Sequence, residues 1–302
     1  MDEQDLQLIQ LLVHDPRATY RELADHLEMS VQAVHRRIQL LLESKILMGF
    51  TTTLSIPYLE AIPVTIHGRA PGRTKKEIAG ALEKNELVSG VLFGSGGVLV
   101  ISALLRKVAE LDRLIDTIRS TTGMVQPWVG IETVRSSGSW PGTSTSEPLS
   151  PLDMRIVASL ARDARKASTD VAKELGVTAA TVNRRLERMR DLGALEFVTM
   201  LHPGFSGDVV AIFQVDLKEG TDRSKLIARL RQRLGPTAEY FREFGNAPDR
   251  ISFVTWNKTL KELETTLEQV VQEEGVRQAV PDILYTGWYH PTWRDRLVLG
   301  LP

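Results

Sequence analysis

The stretch DLQLIQLLVHDPRATYRELADHLEMSVQAVHRRIQLLLESKIL, residues 5–47, aligns without a gap on DMRIVASLARDARKASTDVAKELGVTAATVNRRLERMRDLGAL, residues 153–195. Repetition is sought before local structure, because a duplicated unit fixes the plan of everything around it. Identities fall at Asp5/Asp153, Asp15/Asp163, Arg17/Arg165, Ala24/Ala172, Leu27/Leu175, Val34/Val182, Arg36/Arg184, Arg37/Arg185 and Leu47/Leu195, and most other apolar positions are conservatively exchanged. The chain therefore carries one unit twice, at an offset of 148 residues.

Each copy opens with three helical signals. Leu8, Ile9, Leu12 and Val13 make an apolar stripe at helical spacing, repeated by Ile156, Val157, Leu160 and Ala161. Pro16 ends the first helix, and a second follows with a small residue, Ala24 or Ala172, where two helices would cross closely. Ser30 and Thr178 then offer hydroxyls to the unpaired amides of a third helix. Helix, helix, turn, helix is the helix-turn-helix plan.

Beyond each triplet the pattern turns β-rich, GFTTTLSI and LEFVTMLH, as a wing or a connector strand would be. The remaining order in both copies is strand, helix, strand, strand, helix, strand. A split βαβ, ferredoxin-like sandwich is the natural fold for it. The expected class is α+β: tandem winged helix-turn-helix domains at 1–55 and 150–203, each followed by a ferredoxin-like βαββαβ sensor domain, at 60–135 and 207–292. Between the copies RSSGSWPGTSTSEPLS, residues 135–150, is too poor in apolar residues to order itself and reads as a tether, 136–149.

At 302 residues, with 42% apolar and 25% charged side chains, the chain is a multi-domain globular protein. The absence of cysteine excludes disulfides, thiolate zinc sites and cysteine nucleophiles. The strongest apolar run, Val98 to Leu105, falls well short of the roughly 20 residues of a membrane helix, and the acidic start MDEQD is unlike a signal peptide; a cytoplasmic location is expected, without membrane partners. Lysine plus arginine (37) balances aspartate plus glutamate (38), so any hold on nucleic acid must come from a local basic surface.

The third helix of each copy supplies one. Val31, Val34, Ile38, Leu41 and Leu42 cluster on one side, leaving Arg36 pointing away, with Gln32, Ala33, His35 and Gln39 around it and Arg37 on the flank. The second copy presents Ala180, Thr181, Arg184 and Arg188, with Asn183 and Arg185 at the edges. These side chains, with Ser30 and Thr178 at the helix starts, suit a major groove. Arginine can bond guanine twice, Gln and Asn can do the same for adenine, and Ala and Thr can touch the thymine methyl. Arg37 and Arg185 can instead neutralise phosphates. A helical protein-contact module with a solvated arginine face is the competing reading.

The layout resembles the leucine-responsive regulatory protein (Lrp/AsnC) family. The resemblance is carried by Asp5, Leu12, Arg17 to Leu27 and ValHisArgArgIle at 34–38, and more fully by Asp153, Leu160, Asp163, Arg165, ValAlaLysGluLeuGlyVal at 171–177 and ValAsnArgArgLeu from Val182. It implies a transcriptional regulator that binds double-stranded DNA and responds to an amino acid or related small metabolite. It also implies a homo-oligomer assembled through the sensor domains. Family members usually carry one copy, so the tandem is expected to pair its two sensors back to back within one chain.

In the family the effector lies near the loop joining the second and third sensor strands. The corresponding segments are FGSGGV at 93–98, with Gly94, Gly96 and Gly97, and FGNAPDR at 244–250, with Gly245 and Asp249. Amides at a glycine turn can hold a carboxylate and an aspartate can pair with an ammonium; equally, both segments read as ordinary hairpin turns. No HExxH, GxSxG or phosphate-loop pattern is present, and no catalytic residue, metal or cofactor is expected. The alternative is a siroheme-decarboxylase-like tetrapyrrole enzyme on the same architecture, although the six histidines share no spacing. The aromatic, arginine-rich segment Gly287 to Arg296 is read as packing that seals a sheet edge.

Overall fold

The computed structural model describes residues 1–300 apart from 71, 136–146 and 203, so most of the segment read as a tether lies outside the described residues. In the first copy, α1 (Glu3–His14), α2 (Tyr20–Leu27) and α3 (Val31–Glu43) form the expected triplet. Their starts are chemically marked. Asp2 and Asp5 make a reciprocal capping box, Thr19 and Glu22 another, and the Ser30 hydroxyl accepts from the Ala33 amide at 3.1 Å. In the second copy α6 (Pro151–Leu160), α7 (Ser168–Leu175) and α8 (Ala179–Asp191) repeat the triplet, with Ser150 and Asp153 boxing the start of α6. Val34, Ile38 and Leu41 are buried in α3, and Val182, Leu186 and Met189 occupy the matching places in α8. Val31 is 46% exposed, because the first residue of a helix projects beyond the core its later turns cover.

The strands that follow do not fold back as wings. β1 (Leu47–Leu54) and β6 (Leu195–Leu201) pair with each other, antiparallel, from Leu47 opposite Leu201 to Leu54 opposite Leu195. Equivalent side chains are exchanged across this ribbon. Arg17 donates to the Ala164 carbonyl and lies over the Phe197 ring, while Arg165 donates to the Pro16 carbonyl at 2.9 Å and lies over Phe50. The two arginines and the two carbonyls they reach are related by the repeat offset, while the rings beneath them, Phe197 and Phe50, are one position out of that register. The two helix-turn-helix units are thus fixed to one another about a local two-fold axis.

The first βαββαβ domain contains β2 (Ile62–Arg69), α4 (Lys75–Leu82), β3 (Val88–Gly94), β4 (Val98–Leu105), α5 (Leu111–Thr122) and β5 (Trp128–Arg135). The second contains β7 (Val209–Leu217), α9 (Arg223–Leu234), β8 (Ala238–Phe244), β9 (Ala247–Asn257), α10 (Leu260–Val271) and β10 (Val276–Tyr289). Strand alternation divides the side chains. Leu99, Ile101 and Ala103 face α4 and α5, and Phe213, Phe241 and Phe253 stack beneath α9 and α10, while Val100, Ile212 and Val254 face the opposite way. The helix-free faces of the sheets turn towards each other, and the sheets also join at both edges. β5 pairs with β2 through Val129 and Ile131, then crosses to β8 through Glu132 and Arg135; β10 pairs with β7, then crosses to β3 through Thr286 to Tyr289. The result is one closed eight-stranded barrel in the order β10-β3-β4-β2-β5-β8-β9-β7. Closure removes the four free edges that two separate sheets would expose.

The chain ends in a strap. Beyond β10 it continues into a helix, α11 (Trp293–Leu299), in the segment whose aromatic and arginine content predicts only packing at a sheet edge. Trp293 donates its indole N–H to the Leu104 carbonyl at 2.9 Å, and Val298 enters the core of the second helix-turn-helix unit beside Ile156 and Val157.

Candidate nucleic-acid interface and an internal chamber

The two recognition helices present similar outer faces. Gln32, His35 and Arg36 on α3 are exposed, with Ala33 and Gln39 half-buried; Ala180, Asn183 and Arg184 on α8 are exposed, with Thr181 half-buried. Neither Arg36 nor Arg184 makes a hydrogen bond or ion pair with a described residue, so both guanidinium groups stand ready for an external acceptor. His35 packs its ring against Tyr20, 5.1 Å between centroids, which fixes it at the helix flank.

The second arginine of each pair is placed otherwise. Arg37 reaches back to α1 and bonds Asp2 at 2.8 Å, Asp5 at 2.6 Å and Gln4 at 2.5 Å. Arg185 lies 3.4 Å from Asp153, and Arg188 spans Asp153 at 3.2 Å and Glu147 at 2.5 Å. These three arginines tie the recognition helix to the start of the first helix. The helical wheel sets Arg36 outward and Arg37 on the flank, but nothing in the spacing signals that the side chains at the start of the first helix hold Arg37. Ser30 and Thr178 cap their helices, Thr178 accepting from the Thr181 amide at 3.1 Å.

The glycine loops expected to hold an effector take part in the barrel joints. Gly94 pairs opposite Leu284 in β10, and a side chain there would meet the Ile283 carbonyl at 2.7 Å. Gly96 and Gly97 have φ of 61° and 75°, and Arg69 donates to the Gly96 carbonyl at 2.8 Å. In the second copy, the Gly245 amide donates to the Ile131 carbonyl at 2.9 Å. Asn246 completes that joint as a strand would, accepting from the Ile131 amide at 2.7 Å and donating to the Val129 carbonyl at 2.8 Å. Asp249 is exposed and 3.8 Å from Arg277. The loops of the two copies therefore sit at the two different joints and are not brought together.

A chamber of about 290 Å³ lies between the β1–β6 ribbon, the open end of the barrel and the strap. No local pattern signals it, since its walls come from segments far apart in the chain. Leu92, Phe197, Leu201, Val254 and Trp256 make it largely apolar, and Thr53, Arg242, His290 and Arg294 bring polar atoms to it. Burial pushes the His290 imidazole below the ordinary histidine range and the Tyr289 hydroxyl above the ordinary tyrosine range. No group of histidine, aspartate and glutamate able to hold a metal ion occurs among the described residues. No described helix is long and apolar enough to cross a membrane.

Comparison with known proteins bears on both features. The AsnC-type helix-turn-helix domain matches twice, at residues 1–42 and 149–190. A helix-turn-helix-type transcriptional regulator of Pyrococcus horikoshii, itself uncharacterised, is 34% identical over 120 residues, which is 80% of its length and 38% of this chain. The regulator LrpA of Pyrococcus abyssi is 30% identical over 127 residues, 88% of its length and 41% of this chain. Each relative thus corresponds to less than half of the chain. A solved structure, the siroheme decarboxylase NirDL, covers 98% of both chains with a TM-score of 0.58 at 12% identity, a likeness of fold that extends to the tandem arrangement. With its motif present at both expected places and its single-copy relatives matched over most of their length, the chain belongs to the Lrp/AsnC family of helix-turn-helix transcriptional regulators.

Proposed function

We propose that this chain is a sequence-specific DNA-binding regulator responding to an amino acid or related small metabolite, and that it reads two unlike half-sites with one molecule. The observation that carries the reading is the pair of unpartnered, exposed arginines, Arg36 and Arg184, on recognition helices joined by the β1–β6 ribbon. In this reading Gln32, Ala33, His35, Arg36 and Gln39 meet one half-site, and Ala180, Thr181, Asn183 and Arg184 the other. Arg37, Arg185 and Arg188 orient the helices, their outer edges adding phosphate contacts. The faces differ, so the two half-sites need not match. Further self-association through the sensor domains, as family members show, would place additional helix pairs along the DNA, and a cytoplasmic location accords with that task.

The test is binding to the promoter upstream of the protein's own coding sequence across a salt series. Wild-type protein should bind with an affinity that falls steeply with salt. Arg36→Ala with Arg184→Ala should lose about five- to 150-fold per helix, at about 1–3 kcal/mol for each lost bidentate contact. Equal binding by wild type and variant to specific and scrambled DNA would reject the reading. A selected motif with perfect two-fold symmetry would reject the unlike half-sites.

A second reading is a tetrapyrrole enzyme of the siroheme-decarboxylase kind. It is supported by the full-length likeness of fold and by the buried histidine and arginines at the chamber. The chamber's size weighs against it, being at the lower limit of sites for drug-sized ligands, about 300–1,000 Å³. Titration with an iron tetrapyrrole, followed by its visible absorption, separates the readings: a saturable spectral shift favours the enzyme.

A further inference from the structure

We infer that the chamber beneath the β1–β6 ribbon is the effector site, and that it takes a small, mainly apolar molecule bearing one carboxylate. The inference rests on the regulator reading for the word effector; the binding site itself stands on the geometry.

Four polar atoms at this chamber are buried without a hydrogen-bond partner: Thr53 Oγ1, Arg242 Nη1, Arg294 Nε and His290 Nε2. Such atoms are rare in native interiors, and four around one cavity ask for a common partner. The two arginine nitrogens can only donate, and the other two atoms can donate as well, so the missing partner is an acceptor. Each guanidinium already faces one protein carboxylate on another side. Arg242 Nε is 3.7 Å from Glu132, and Arg294 Nη1 is 2.7 Å from Glu196. The arginine charges are thus largely matched within the protein, which leaves room for one further anionic acceptor and not for a multiply charged ligand. The remaining wall, Leu92, Phe197, Leu201, Val254 and Trp256, suits a hydrocarbon body, and about 290 Å³ limits it to one ring or a short chain. The sensor loops offer less, since Gly94, Gly245 and Asn246 are engaged in closing the barrel.

The place also explains a response. Arg294 lies within 3.4 Å of the Leu54 carbonyl and bonds Glu196, at the end of β1 and the start of β6, the ribbon that spaces the two recognition helices. Four residues along the chain Val298 enters the second helix-turn-helix core. A ligand that draws Arg294 inward acts on both at once.

The experiment is calorimetric titration of the full-length protein with octanoate, 4-phenylbutyrate and 4-methyl-2-oxopentanoate, each paired with its amide. At least one carboxylate should bind with one site per chain, and its amide at least tenfold more weakly. Arg294→Gln should weaken binding by tenfold or more. Ser102→Leu, which fills the chamber without changing charge, should abolish it, and keeps the test valid if Arg294→Gln does not fold. Binding by none of the three, equal binding of acid and amide, or undiminished binding by Ser102→Leu would overturn the site. Titration repeated with promoter DNA separates the two ideas. Carboxylate binding without DNA binding leaves the site standing and removes the regulator reading; DNA binding without carboxylate binding does the reverse.

Discussion

In the first helix-turn-helix unit Arg37 is held by Asp2, Gln4 and Asp5, of which Asp2 remains 54% exposed, whereas in the second Arg185 and Arg188 converge on Asp153, which solvent does not reach. The surroundings differ in the same sense. The first unit leans on the second βαββαβ domain: α1 packs on residues 235–237, the Met1 ammonium pairs with Asp208 at 3.2 Å, and Leu12 and Val13 share a core with Val210 and Trp256. The second unit has its own core and is closed by the strap, through Val298. Among the described residues the helix that follows β10 packs into the second unit, so the two units are supported unequally. A contact network shared with the barrel tolerates redundant surface ion pairs, while an isolated small core concentrates its polar contacts on one buried carboxylate.

The comparison can be broken most directly at the strap. Trp293→Ala should cost about 3–5 kcal/mol, as large aromatic truncations in a core do. Hydrogen exchange should then show α6 and α8 losing protection while α1 and α3 keep theirs. Equal loosening of both units would mean that the strap does not support the second one selectively. Next in size is the clamp. Asp153→Asn leaves two arginines facing a buried neutral group and should cost about 3 kcal/mol. Asp5→Asn should cost about 1 kcal/mol or less, because Asp2 and Gln4 still hold Arg37. Urea denaturation of both variants measures the difference, and similar losses would remove the distinction.

A pH effect sharpens the contrast further. By the repeat offset, Leu54 at the end of the first connector corresponds to His202 at the end of the second. His202 accepts from the Gly204 amide at Nδ1, 3.0 Å, so Nε2 carries the proton donated to the Gly287 carbonyl, also 3.0 Å. Burial holds its pKa below the ordinary value, and the neutral ring is the form that fits. The stabilisation is therefore present above the unfolded-state pKa, about 6.5, and is lost as pH falls towards the folded-state value. The melting temperature should decline on acidification from pH 7 to pH 5, and less so in His202→Gln. An identical decline in the variant would place the sensitivity elsewhere.

The smallest expected effect lies at two turns. Glu28 and Lys45 have φ of 52° and 60°, and the corresponding residues of the second copy are Gly176 and Gly193, at 69° and 62°. Side chains in the left-handed region cost about 1–2 kcal/mol, offset in part by the greater freedom glycine loses on folding, so Glu28→Gly and Lys45→Gly should each stabilise by about 0.5–1 kcal/mol. Thermal unfolding would detect the pair together, and a loss of stability would show that the side chains earn their place through contacts.

Much of this was legible in the sequence because it repeats at short range. The helix triplets, their caps at Ser30 and Thr178, and the βαββαβ order follow from spacing and turn chemistry. What was hidden depends on distant partners. Nothing near Phe50 signals that its strand will pair with the strand of Phe197, and the crossing of β5 and β10 between sheets arises from their length, which local pattern reports only as one more strand. The division of labour between Arg36 and Arg37 is set by Asp2 and Asp5, three helices' worth of chain away. Arg242, His290 and Arg294 were invisible as a group, since only the fold gathers them.

The closed barrel has a consequence for amounts. Where two separate chains must meet to complete such a barrel, dilution dissociates it, and the fraction able to grip two half-sites falls with the number of molecules in the cell. Here both seams, β5 with β8 and β10 with β3, join parts of one polypeptide. Their effective concentration is set by chain connectivity and not by expression level, so a single copy of this protein would still hold both helix-turn-helix units on one assembled barrel, and on the proposed reading would suffice to grip both half-sites.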